Sequence, residues 1–380
     1  MRNLILVVLI CWLFLPFTLA AQSDSSGTGL AGRVMNWLSQ ENKPPEKPRF
    51  LFYPTFGYSP ETSLEIGVAG SVLFHAKNQY LKNRLSEITL FGFGTLRNQY
   101  GLWVDNAVYT DQDKWLILGR LRLQRFPLLY YGIGPEAPEA DPVTVNGVYY
   151  LLRERIMHRV AHNMFAGVLL DAQYLGKVDF GGDQPTRPLP EGSGGSTNVA
   201  AGIGWVYDSR PNMLNTRKGW FAEIAWLHYG HALGSDYAFD NFSAEVRQYI
   251  PVGKNQVFAW QASGNVVSGN APFNMLSLMG NESLMRGYYT GRYRDHQYYA
   301  AQAEYRFLPL PFSKRIGAAV FAGAGSVAPN LRSLDLAHVR FSGGGGLRYL
   351  LFPKKDIFVR FDVGITREGA SFYIFTGEAF

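Results

Sequence analysis

The sequence has little cysteine and little charge, and each shortage narrows the classes of function. Its single cysteine, Cys11, lies within the first twenty residues. We expect the mature chain to lack cysteine, which excludes disulfides, thiolate catalysis and cysteine-based zinc sites. Charged residues make up 17% of the chain, below the roughly 25% of a typical soluble domain. The net charge of +6 is modest and is not gathered in a basic stripe, so the sequence predicts no nucleic-acid partner.

Beyond its N-terminus the sequence lacks an apolar run long enough for a transmembrane helix. Catalytic, phosphate-binding and metal-ligand motifs are also missing. We therefore predict no enzyme activity, no catalytic residue, no metal and no cofactor. Aromatic residues make up 15% of the chain, and there are 41 glycines. Low charge combined with many aromatic residues is typical of a transmembrane β-barrel, with a soluble periplasmic protein as the other option.

The N-terminal region resembles a targeting segment followed by a linker. Residues 1–21 are predicted to be a signal peptide, because a basic start precedes an apolar stretch (residues 4–17) and small residues for cleavage (18–21). Residues 22–49 are predicted to be a periplasmic linker. This linker contains a candidate amphipathic helix at residues 30–38 and ends in a proline-rich stretch.

From residue 50 to residue 380 apolar and polar residues alternate with a period of two, which predicts β-strands. Along 357–365, for example, apolar residues alternate with Arg360, Asp362 and Gly364. The predicted fold is all-β, a transmembrane antiparallel β-barrel of about 16 strands, and an even number is usual for such barrels. The segments are 50–57, 62–75, 86–96, 99–110, 114–126, 147–158, 163–175, 197–208, 219–230, 239–250, 256–268, 296–308, 315–326, 338–351, 355–366 and 370–380.

The lengths of the connections support this count of strands. If the N-terminus lies in the periplasm, connections after odd-numbered strands form the outer loops, which are the long ones in bacterial barrels. The connections 127–146, 176–196, 269–295 and 328–337, which we take as the long outer loops, all follow odd-numbered segments. The sequence thus predicts an integral, multi-pass protein of the bacterial outer membrane.

Two neighbouring motifs resemble a known family. Arg286-Gly287-Tyr288 lies in the loop between predicted strands eleven and twelve, and Gln302-Ala303-Glu304-Tyr305-Arg306 follows it. Both are similar to motifs of the BamA/TamA superfamily of outer-membrane barrels, also called the bacterial surface antigen family. The resemblance covers about residues 50–380 and includes three further features: Tyr207-Asp208-Ser209-Arg210, Arg360-Phe361-Asp362-Val363-Gly364 and the terminal Phe380.

The resemblance implies a set of site residues. In the family the loop folds into the barrel, and its arginine pairs with carboxylates of the inner wall. Here that arginine is Arg286, with Glu304 and Asp362 as candidate partners and Gly287 and Tyr288 beside it, a set we call the loop-to-lumen lock. The other interpretation is that Arg286 is a solvated loop residue. The resemblance further implies a mid-barrel motif, formed by Asp208 and Arg210, and a C-terminal strand signal, Phe380.

The family relation implies protein or lipid translocation or assembly at the outer membrane. The relatives that act as insertases carry POTRA modules before the barrel, whereas residues 21–49 leave no room for one, so we expect a barrel-only member. A passive, porin-like channel and a surface structural antigen stay open as alternatives. Expected partners are outer-membrane lipid and lipopolysaccharide, protein or lipid clients, and the barrel-assembly machinery for the chain's own insertion. The sequence leaves the oligomeric state open.

Overall fold

The chain forms a closed antiparallel barrel of sixteen strands. The computed structural model describes residues 47–125, 127–140, 142–181, 188–212, 215–353 and 356–380, so the predicted signal peptide and nearly all of the linker lie outside the described residues. Each strand pairs with its neighbour in sequence, and the first also pairs with the last. The strands are β1 (Arg49–Ser59), β2 (Ser63–His75), β3 (Leu85–Thr95), β4 (Tyr100–Tyr109), β5 (Trp115–Arg125), β6 (Val143–Ala161), β7 (Met164–Phe180), β8 (Ser196–Asp208), β9 (Gly219–Tyr229), β10 (Phe239–Gly253), β11 (Gln256–Gly269), β12 (Gln297–Phe307), β13 (Ile316–Ala328), β14 (Arg340–Phe352), β15 (Ile357–Thr366) and β16 (Gly369–Thr376).

The remaining regular structure is short. The short strand Leu128–Tyr130 pairs with the start of β6. In the loop that joins β11 to β12, Ser277–Met279 pairs with Tyr293–Asp295. The helices of the described residues are single 3-10 turns: Ala76–Asn78, Asp111–Asp113, His231–Leu233, Phe273–Met275, Leu331–Ser333 and Leu336–His338. In this part of the chain no helix has the length and apolar character needed to cross a membrane.

Side chains alternate between the two faces of the wall as the period of two requires. On β15, Arg360 and Asp362 are buried on the inner face, whereas Ile365 on the outer row is exposed. Large apolar side chains are exposed along the outer rows of other strands as well, among them Phe52, Val168, Ile203, Val320 and Leu347. An apolar outer face with a polar interior is the arrangement that a bilayer requires of a barrel.

The predicted sixteen strands are all present, and two regions differ from their predicted bounds. β6 and β7 extend past 147–158 and 163–175 as a long two-stranded ribbon. The last strand, predicted over 370–380, ends at Thr376, because Gly377 takes a left-handed φ of +89° and turns the chain inward. Residues 377–380 therefore lie inside the barrel instead of continuing the wall.

The lumen is packed differently on its two sides. Along β4–β11 an apolar cluster lines the inner face from the short-turn end, where Tyr109, Leu116 and Phe165 lie, to the long-loop end, where Tyr229 and Phe239 lie. The short turns are also tied together: Arg84 donates to the carbonyl of Asp208 at 2.9 Å, and Arg217 pairs with Asp356 at 2.6 Å. The other side of the lumen, along β11–β16, receives the loop that follows β11.

Candidate functional site: the loop folded into the lumen

The loop between β11 and β12 enters the barrel, and many of its side chains are buried there. Arg286 is 0% exposed and Tyr288 is 1% exposed. Apolar residues of the loop form a cluster with the inner wall, whose members are Met279, Leu284, Met285, Tyr288, Tyr293, Ala300 and Val327. The hydrophobic effect therefore holds the loop in the lumen, and its charged group has to find partners there.

Arg286 contacts both of the carboxylates that the sequence suggested for it. Its Nη1 donates to Oδ2 of Asp362 at 2.6 Å, and its Nη2 donates to Oε2 of Glu304. The guanidinium carbon also lies 3.5 Å from the centre of the Phe321 ring. Hydrogen bonds between ions are the strong class, and the planar guanidinium suits two acceptors at once.

Four further charged residues complete the cluster around Arg286. They were not among the site residues predicted from the sequence. Arg306 donates to Glu304 at 2.7 Å, and Arg348 donates to Glu378 at 3.0 Å. Arg348 also pairs with Asp362, which Arg360 contacts at 3.2 Å. Arg306 and Arg360 belong to motifs quoted for the family resemblance. The inward-facing positions of Arg306, Arg348 and Arg360 on β12, β14 and β15 could have indicated their role from the sequence.

The cluster is nearly neutral and nearly dry. It contains the four guanidiniums of Arg286, Arg306, Arg348 and Arg360 and the three carboxylates of Glu304, Asp362 and Glu378, all buried or nearly so, giving a formal charge of 4 − 3 = +1. Each carboxylate contacts at least two guanidiniums. Such a network is costly to break, because removing one member leaves buried charges less well compensated.

Two glycines allow the main chain of the loop to rest on β15. Gly287 has a φ of +114°, and a Cβ added to Gly364 would lie 2.6 Å from the nitrogen of Gly287. The Gly287 N–H donates to the hydroxyl of Tyr373 at 2.9 Å, and its carbonyl accepts from Ser371 at 2.9 Å. Glycine follows the arginine because any side chain there would separate loop and wall.

The same loop contacts the connections on either side of β1 and β16. Thr290 donates through its main-chain N–H to Glu61, in the β1–β2 turn, at 2.6 Å. Arg292 and Tyr293 donate to Glu368, in the β15–β16 turn, at 2.8 and 2.7 Å. The loop therefore bridges the two strands at which the barrel closes.

Burial shifts the pKa values of two ionisable groups of this loop. Burial raises the pKa of the Glu282 carboxyl, and the nearby Arg360 opposes that shift only in part. Burial lowers the pKa of Arg294 to about 10, since its guanidinium lies against the rings of Tyr130 and Phe273. Arg294, at 4% exposed, is nearly removed from solvent, as it would not be in a free, mobile loop.

Of the other two site predictions, the mid-barrel motif lies away from the lock and Phe380 lies beside the charged cluster. Asp208 and Arg210 form a two-pronged pair, with both hydrogen bonds at 2.9 Å, inside the β8–β9 turn, and Arg210 lies over the Phe221 ring. Phe380 is buried beyond the end of β16, where its main-chain oxygen accepts from Arg306 at 2.9 Å. Phe380 thus touches the charged cluster, whereas the mid-barrel motif does not.

The junction of β1 and β16 is the sparsest in the barrel wall as described. These two strands share one register pair, Tyr58 with Ile374, whereas β1 and β2 share eleven. In the same antiparallel register an extended tail would place residues 377–380 beside residues 52–55 of β1. The tail instead turns inward, with the Gly377 N–H donating to the Phe358 carbonyl at 2.8 Å. Among the described residues, the register between β1 and β16 is therefore limited to this one pair.

Comparison with known proteins identifies the family. Residues 150–353 match the Omp85 superfamily domain. BamA from Haemophilus ducreyi lacking POTRA domains 1–3 aligns at 16% identity over 87% of this chain and 70% of that chain, with a TM-score of 0.56. CdiB from Escherichia coli aligns at 9% identity over 88% and 63%, with a TM-score of 0.57. CdiB from Acinetobacter baumannii aligns at 10% identity over 86% and 59%, with a TM-score of 0.55.

This chain spans less than two thirds of either CdiB chain, and at such identities the likeness to the three structures shows the fold alone. No protein with a curated description matches the sequence. The domain match is different in kind, since it covers more than half of the chain and includes the Arg286 loop and β12. The resemblance to the BamA/TamA superfamily is thereby confirmed, and the chain belongs to the Omp85 superfamily, whose barrel fold implies an integral protein of the bacterial outer membrane.

Proposed function

We propose that this barrel takes part in protein or lipid translocation or assembly at the outer membrane, and that its clients enter or leave through the junction of β1 and β16. The observation that carries the proposal is the single register pair at this junction. Every other neighbouring pair of wall strands in the described structure is held by eight or more register pairs. Opening the barrel here breaks fewer hydrogen bonds than opening it anywhere else in the described wall.

The short pairing between β1 and β16 supplies a chemical means of recognising a client. Unpaired N–H and C=O groups along an edge strand can add a further strand, and this mode of binding depends little on the client's sequence. Pro54 lies in β1, and proline is tolerated in edge strands because it has no N–H to donate. A client with its own edge strand would extend the barrel wall from β1.

The loop-to-lumen lock would control this opening. Through Glu61 and Glu368 the loop holds the turns on both sides of the junction, and through Arg286 it holds the inner face of β15. While the loop is docked, β1 and β16 are kept together despite their short ladder. The clients we propose are outer-membrane proteins or lipids, including lipopolysaccharide, and the barrel-assembly machinery would insert the chain itself.

A photo-crosslinking amino acid placed on the β1 edge tests this function. We expect the photo-reactive residue at Phe56 to capture outer-membrane proteins or lipids in living cells, because Phe56 lies on the outer row of β1, 50% exposed. The matched control is Phe242, which is 45% exposed on the outer row of β10, a strand fully paired on both sides. Mass spectrometry of the adducts gives the readout. The same adducts in the same amounts at both positions would argue against a client site at the junction.

A passive channel is the second candidate, and one observation favours it. On the inner rows of β4 and β5 the side chains of Asp105 and Arg120 are 46% and 57% exposed, so part of the lumen is wet. Charged groups of this kind set ion selectivity in pores. Because the loop occupies the other side, we expect the purified barrel to give little steady current in planar bilayers. Large, steady, ohmic currents would favour the channel over the proposed function.

A further inference from the structure

Glu154 faces the lipid from the middle of the barrel wall. It lies on the outer row of β6 between Leu152 and Ile156, which are 49% and 39% exposed. The inner row of the same strand is filled by Arg153 and Arg155, which pair with carboxylates inside the barrel. A carboxyl group on the lipid side is costly, so its presence there indicates a partner within the membrane.

Aromatic residues on the same row mark the depth of Glu154. His158, in edge contact with Trp115, lies at the short-turn end of β6, and Tyr150, stacked on Tyr174, lies towards the long-loop end. Aromatic side chains of this kind gather at the two interfaces of the bilayer. Glu154 is halfway between these two belts along the strand, at the level of the acyl chains, where lipid headgroups do not reach.

Asn106 and Gly119 complete a polar patch around Glu154. The register sets Asn106 of β4 opposite Gly119 of β5, and Gly119 opposite Glu154 of β6, so all three share the outer face. A Cβ at Gly119 would collide with Oδ1 of Asn106 and Oε1 of Glu154, which means that both side chains lie over the glycine. Asn106 is hydrogen-bonded to Glu154 within the patch. In the described structure Oε2 of Glu154 is covered by neighbouring atoms and has no hydrogen-bond partner, so the hydrogen-bonding capacity of the carboxyl group is only partly used.

We propose that this patch is the contact at which a second copy of the chain docks side by side in the membrane. A carboxyl group and an amide together offer both donors and acceptors, so two patches related by a two-fold axis satisfy one another. The acyl chains of lipid offer no such partner. Polar side chains join transmembrane segments in this way, because the alternative is an unpaired polar group in hydrocarbon.

The surroundings of the patch fit a flat contact between two barrel walls. Gly119 removes a side chain at the centre, which allows close approach. Beside the patch lies a groove of about 210 Å³ whose outer-row lining includes Leu121, Tyr150, Leu152 and Tyr174, and which can receive an apolar side chain of the second copy. This face lies on β4–β6, away from the junction of β1 and β16, so the dimer is independent of the proposed function and leaves the junction open to the membrane.

Cysteine crosslinking in native outer membranes tests the dimer. In a chain carrying Cys11→Ala, we expect Leu152→Cys, next to the patch, to form a disulfide-linked dimer on mild oxidation. The matched control is Val320→Cys on the outer row of β13, where Val320 is 59% exposed. An equal yield of dimer at the two positions, or crosslinking of Leu152→Cys to a different protein, would overturn the proposal.

Substitutions within the patch separate a specific contact from chance encounters. With Leu152→Cys in place, Glu154→Leu or Asn106→Leu should reduce the yield of dimer by about ten-fold, the order expected for losing hydrogen bonds in a membrane. Glu154→Gln should keep the yield, since a carboxamide is also both donor and acceptor. The heat-modifiable migration of each variant in SDS confirms that the barrel has folded. An unchanged yield in folded Glu154→Leu would contradict the proposed contact.

Discussion

Replacing Arg286 with alanine should lower the free energy of unfolding by about 3 kcal/mol, the scale of two hydrogen bonds between charged groups together with the space left by a buried side chain. The loss is not larger, because Glu304 and Asp362 each keep contacts with other guanidiniums of the cluster. It should appear as a lower temperature at which the folded, SDS-resistant barrel unfolds. The loop should also become accessible to added protease, since Arg286 is 0% exposed in the docked loop.

Arg332→Ala is the matched control, because Arg332 is an exposed arginine in another connection at the same end of the barrel. It should change neither the unfolding temperature nor the protection of the loop. Arg286→Lys should restore only part of the loss, since an ammonium cannot reach two carboxylates with the geometry of a guanidinium. Arg286→Ala combined with Asp362→Ala should cost less than the sum of the two single changes. If the losses in the free energy of unfolding are strictly additive and the loop stays protected from protease, then Arg286 does not lock the loop.

The fold was predictable because a barrel wall is a local pattern. Alternation along 357–365 assigns the inner and outer faces of β15 without any knowledge of its neighbours. The lengths of the connections add a second, independent signal, since the longest ones follow odd-numbered strands. Together they give sixteen strands and an all-β class, which the structure confirms.

The end of β16 was not predictable from the same pattern. Gly377 turns the chain after Thr376 with its left-handed φ, but glycine also occurs inside strands, as Gly364 does in β15, so the residue type alone does not mark the end of a strand. The contacts that hold the turned tail are distant in sequence: Arg306 on β12 binds the oxygen of Phe380, and Tyr249 and Val257 line the apolar site of its ring. A pattern of period two carries no information about such partners.

The charged cluster was only partly predictable for a similar reason. Alternation places Glu304 and Asp362 on the inner face, but it does not tell how far apart two inner residues of different strands lie. Arg348 reaches Glu378 and Asp362 because β14 adjoins β15 and the tail folds back into the lumen. The Asp208–Arg210 motif is likewise visible in the sequence, yet only the structure places it in a turn remote from the loop.

The proposed function requires the junction of β1 and β16 to open. A disulfide across this junction tests that requirement directly. Tyr58 and Ile374 are register partners, and neighbouring strands bring such pairs within the range of a disulfide. The variant combines Cys11→Ala, Tyr58→Cys and Ile374→Cys. The matched control places the disulfide between register partners of β10 and β11, with Phe242→Cys and Val266→Cys.

Each variant is introduced into cells that lack the native chain, and their outer-membrane protein and lipid content is compared with that of the parent strain. We expect the oxidised junction variant to lose nearly all ability to restore this content, a reductant to restore that ability, and the control disulfide to have no effect. If the barrel with its junction held closed by the disulfide restores the outer membrane as fully as the unmodified chain does, then clients do not pass between β1 and β16.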